Sequence, residues 1–188
     1  MKTAIYRGGV NSLAVWPWSG VRAWLFQLGL VIASVLLPAA AHLTGAPVRW
    51  LLPMHWPVIL AGLLYGWRGG LTVGLLAPGS NWLLTGYPLP IKLLPMTVEL
   101  AVYGFVAGWL VERWHWNRFA AVAVALVAGR MVFLAAIAMF GATDGTGFWA
   151  YVTAAMVPGL AAGVGMVVVI PVLGQLLSSI NSGGSHHA

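Results

Sequence analysis

Almost every long segment of this chain is apolar, and its 188 residues share only nine basic and three acidic side chains. Charged residues make up 6% of it, against about 25% in soluble domains. A soluble fold needs polar faces to meet water, and these segments have none to offer. The expectation is therefore an all-α integral membrane protein. In hydrocarbon a helix satisfies its own backbone hydrogen bonds, which an open strand or loop cannot do. The net charge of +6 is scattered rather than clustered, so no basic patch for nucleic acid is present. Cysteine is absent, which excludes disulfides, cysteine-based metal sites and thiol catalysis.

A spanning helix needs about 20 mainly apolar residues. Six candidates follow: 24–43, 57–67, 70–84, 92–110, 119–140 and 148–177. The second and third are short, and the third contains Pro78. Residues 1–23 are expected to be a cytoplasmic lead-in rather than a cleaved leader, because they lack a compact apolar core with a small-residue cleavage site. Residues 24–177 form the six-helix membrane domain. Residues 178–188 form a flexible polar tail, whose His186 and His187 give it a metal-binding alternative.

Six spans put both termini on one side. That side holds Lys2, Arg7, Arg22, Arg68, Arg113 and Arg118, and the other holds Arg49 and Lys92. The excess of basic residues makes the termini cytoplasmic. Gly29 and Ala33, Gly104 and Gly108, and Gly159 and Gly163 are small residues at helical spacing. Such pairs let backbones approach closely, within the bundle or against another membrane subunit.

Two ionisable residues fall inside spans. Glu99 precedes Glu112 by 13 residues, about 20 Å along a helix. Arg130 follows Arg118 by 12 residues, about 18 Å. Their helices are antiparallel neighbours, so the two charges fall at nearly one depth and are expected to pair. Such a pair fixes helix register, lines the floor of a cavity, or does both. On the outer side a polar set converges: His42, Met54, His55, Ser80, Asn81, Tyr87, Asp144 and Thr146. Taken singly, a histidine at a span end is solvated and a methionine packs. As a set they suggest a binding site at the mouth, with Glu99 and Arg130 at its base. Pro78-Gly79 is expected to end a short helix there and turn Ser80 and Asn81 inward. No serine–histidine–aspartate order, His-x-x-x-His pair or phosphate loop is present.

Residues 51–90 and 93–110 include the segments PMHWPVILAG, GLTVGLLAP, LTGYP and VELAVYG. These resemble the substrate-binding S-components of energy-coupling factor (ECF) vitamin transporters. The likeness is clearest over residues 25–112. The resemblance implies a six-helix protein of the bacterial cytoplasmic membrane that binds a micronutrient at its outer face. It implies a coupling subunit and ATPases as partners, or a solitary member. The family's docking pair of alanines on the first helix is represented here by Gly29 and Ala33.

Among its branches the chain is most similar to the cobalamin-specific one, in which a cysteine after the third helix ligates cobalt. Ser80 stands at that place, and a hydroxyl is a harder, weaker ligand for cobalt than a thiolate. Cobalt coordination would then fall to His42 or His55, or be absent. The expected ligand is cobalamin, with no intrinsic cofactor, bound through Ser80, Asn81, Tyr87, His42, Met54, His55, Asp144, Glu99 and Arg130. Removal of the cobalt's upper ligand, which the branch's thiolate favours, is expected to be lost or slowed with Ser80. The alternatives are an S-component for another vitamin, a tetrapyrrole or a Co/Ni ion; an intramembrane enzyme using Glu99, Arg130 and a histidine; and an assembly factor without a ligand.

Overall fold

Helices begin and end where the local chemistry allows. In a computed structural model, which describes residues 15–141, 143 and 145–183, α1 spans Val21–Leu43, α2 Val48–Leu51, α3 His55–Thr85, α4 Pro90–Trp114, α5 Arg118–Phe140 and α6 Phe148–Gly183. The first fourteen residues, Asp144 and both tail histidines lie outside the described residues. Pro90 opens α4, where a missing N–H costs little. Asn117 caps α5, its side-chain oxygen accepting the Phe119 N–H at 2.8 Å. Gly86 ends α3 in the left-handed region, its N–H donating to the Trp82 carbonyl at 2.9 Å.

Five helices among the described residues are long and apolar enough to cross a membrane. The difference from the expected six lies in α3. The second and third expected spans are two arms of this one element, which breaks at Gly66 (φ 70°, ψ −167°). Only glycine adopts that conformation without penalty. The chain reverses there, and four glycines record the turn. A Cβ at Gly62 would meet Gly104 and Gly108, and one at Gly66 would meet Glu112. One at Gly70 would meet Gly104 again, and one at Gly74 would meet Leu100 and Ala101. The first arm thus runs down α4 and the second runs back up it. The glycines let both arms lie backbone to backbone on α4, the most extensive helix contact in the molecule. The pair Gly104 and Gly108 is accordingly an internal packing surface. Gly159 and Gly163 face α5, at Arg130 and Leu126. Gly29 differs, because a Cβ there would meet nothing within 4 Å.

Pro78-Gly79 does not end a helix. The second arm continues through both to Thr85. A proline inside a helix loses one backbone bond and bends the rod, and membrane helices tolerate this when neighbours pack over it. Pro78 is buried. The sixth helix also continues past residue 177, the expected end, to Gly183. Arg118 at the start of α5 donates to the Ser178 hydroxyl at 3.1 Å. The core is built around α3 and α4, where Val58, Ile59, Leu63, Val73, Leu100 and Tyr103 are essentially inaccessible.

Candidate functional site

The first arm of α3, residues 55–65, is only about 16 Å long. That is well short of the hydrocarbon layer, which is about 30 Å thick. His55, at its start, is buried within the bundle. The sequence reading set Met54 and His55 among the outer polar residues, and both are buried. Met54 is buried in the core. His55 sits at the level of Glu99, with its Nε2 3.9 Å from Glu99 Oε2.

Glu99 is the hub. Arg130 Nη1 on α5 lies 3.3 Å from Glu99 Oε1, as counting residues along two antiparallel helices predicts. The Tyr103 hydroxyl, one turn along α4, donates to the same oxygen at 2.6 Å. The His55 and Tyr103 rings lie 5.4 Å apart. Arg130 also rests over the Phe133 ring at 5.4 Å. Close packing holds the cluster: Gly129 abuts the Tyr103 ring and Gly159 abuts the Arg130 guanidinium. A lone carboxylate at a helix centre costs about 2.5–3.5 kcal/mol on insertion scales. Here one cation and one hydroxyl share its charge, which offsets much of that cost. Both ring nitrogens of His55 are buried without a hydrogen-bond partner among the described residues. The sequence reading missed Tyr103, although its place four residues after Glu99 on a helix was the available signal.

A second group gathers at the other end of these helices. The His42 ring at the end of α1 stacks on Tyr87, with centroids 5.7 Å apart and planes 27° apart. Asn81 is buried, and Thr85 donates to its carbonyl at 2.8 Å and to its Oδ1 at 3.3 Å. Ser80 is half-buried beside it. Pro90, just beyond Tyr87, is nine residues from Glu99 on α4, or about 13 Å. The structure thus gathers His55, Glu99 and Arg130 at one depth, and His42 and Tyr87 at another. Asp144 lies outside the described residues, and Thr146 closes its own turn on the Thr143 carbonyl. No group of three or more metal-ligating side chains occurs among the described residues.

An apolar pocket of about 380 Å³ lies between α1, α2, the first arm of α3 and α6, bounded by Leu30, Ala33, Leu51, Trp56 and Ile170. The Glu99 cluster is not part of its wall.

Neither a curated protein nor a solved structure matches the chain. A family model, described as ECF transporter, substrate-specific component, matches residues 25–174. That match takes in α2 to α5 with the α3 hairpin, most of α1 and α6, and both polar groups. The chain belongs to the substrate-specific components of ECF transporters.

Proposed function

We propose that this protein captures cobalamin from the outer side of a bacterial cytoplasmic membrane and carries it across. Family membership supports micronutrient uptake. The observation that carries the site is the buried cluster of His55, Glu99, Tyr103 and Arg130, which is far more polar than a lipid-embedded bundle needs for packing. It would form the floor, and His42, Tyr87, Asn81 and Ser80 would form the mouth, with Met54 packed beneath and Asp144 in the last outer connection. The two arms of α3 would count as two crossings, which gives six in all. The second arm, residues 67–85, is about 28 Å long and would span alone. The first arm needs α2 and the loop before it to complete its passage.

Cobalamin is favoured by the segments around APGSNW, with Ser80 standing where the similar branch places its cobalt-ligating cysteine. Either side of the ligand's metal would meet an imidazole or a hydroxyl rather than a thiolate. Gly29 on α1 is exposed and open, which leaves room there for a coupling subunit that works with ATPases, while Ala33 one turn on lines the apolar pocket.

The test is a visible spectrum. Purified protein is incubated with cobalamin, washed and scanned. Retention of the corrin absorbance in about equimolar amount supports the reading. A washed protein without a visible chromophore sinks the cobalamin assignment. The same screen with a tetrapyrrole, other vitamins and Co/Ni ions then identifies the nutrient.

A further inference from the structure

The vertex of the α3 hairpin carries an arrangement that substrate capture does not use. The Arg68 guanidinium lies over the Trp67 indole at 5.2 Å, and that of Arg113 lies over Trp109 at 5.7 Å. The two indoles are 6.4 Å apart, and Phe105 touches both, at 5.9 and 5.5 Å. Both arginines are exposed, and neither pairs with a carboxylate among the described residues. The nearby acid, Glu112, is directed to the backbone instead, its Oε2 accepting the Trp67 N–H at 3.2 Å. The indole Nε1 of Trp67 is buried without a hydrogen-bond partner among the described residues. Arg22 and Arg118 begin α1 and α5 at the same end. Two cations are therefore seated on one continuous aromatic ledge, and the acid nearest them is engaged by the backbone.

The surface above the ledge is apolar. Leu75 on the second arm, and Val98 and Leu94 on α4, are exposed and follow Trp67 and Phe105 at helical spacing. A phosphate at the arginines would have its hydrocarbon tails along this seam. Guanidinium planes suit phosphate oxygens, and stacking on the indoles holds them ready. We propose that this ledge is a binding site for an anionic phospholipid, with the headgroup phosphate between Arg68 and Arg113 and the acyl chains on the α3–α4 seam.

The full-length protein in neutral detergent is titrated with phosphatidylglycerol, phosphatidylcholine and inorganic phosphate, and bound lipid is counted by native mass spectrometry. Phosphatidylglycerol should bind several-fold more tightly than phosphatidylcholine. Each arginine replaced by glutamine should weaken it about fivefold, so that R68Q/R113Q abolishes the preference, while R49Q, at a distant loop helix, keeps it. Wild-type protein that binds both lipids equally overturns the proposal without any variant. So does unchanged preference in R68Q/R113Q, or an equal loss in R49Q. Competition by millimolar inorganic phosphate as strong as that by the lipid overturns the lipid as occupant and leaves a simple anion site.

Discussion

The Tyr103 hydroxyl and the Arg130 guanidinium converge on one oxygen of Glu99, at 2.6 and 3.3 Å. That oxygen ties α4 to α5, and through His55 the other oxygen reaches α3. A hub of this kind is costly to break from one side only.

Replacing Arg130 by methionine strands the buried Glu99 carboxylate. The expected loss is about 3–5 kcal/mol. The double variant E99Q/R130M removes both charges and keeps an acceptor for Tyr103, so it should lose less. Unfolding followed in detergent decides the point. If the double variant is as unstable as the single one, the carboxylate is not what the arginine serves.

The glycines of α3 should respond unequally. A Cβ at Gly70 would run into the Gly104 backbone, whereas one at Gly79 would meet nothing within 4 Å. Gly70→Ala should therefore separate α3 from α4 and lower the melting temperature sharply. Gly79→Ala should be neutral or gain up to about 1 kcal/mol from helix propensity. Equal melting temperatures for the two variants would contradict the backbone contact.

Glu112 serves the hairpin vertex by accepting the first N–H of the second arm. A negative charge there also meets the positive end of that arm's dipole. Glu112→Gln keeps an acceptor and loses the charge, and should cost on the order of 0.5–1 kcal/mol. Glu112→Ala also loses the cap, for about 1–2 kcal/mol in all. A graded order of wild type, glutamine and alanine in thermal unfolding is the expected result, and equal stability of all three would remove the cap.

Ser80→Cys tests the proposed ligand from another direction. On the cobalamin reading, a thiolate at position 80 should speed loss of cyanide from cyanocobalamin, and the serine protein should lose it slowly or not at all. Time-resolved visible spectra follow the exchange. Identical traces for the two proteins would sever position 80 from the cobalt.

The sequence alone determined the environment and the all-helical class, because a chain with so few charges has only one solvent that suits it. It also placed Glu99 opposite Arg130, since rise per residue along two antiparallel helices is arithmetic. It did not determine where the chain bends. Pro78-Gly79 has the composition of a break, yet α3 runs through it and reverses at Gly66. A proline's lost hydrogen bond is tolerable under packed neighbours, while a reversal needs three things together. They are a left-handed residue, glycines on both arms to clear α4, and a carboxylate from α4 to cap the restarted helix. Tertiary structure likewise decided the depth of His55. A histidine just after a loop looks like a mouth residue, but an eleven-residue arm starting from the vertex ends beside Glu99. Which polar residues share one depth follows from where the hairpin turns, and that is set by contacts between segments some forty residues apart in sequence.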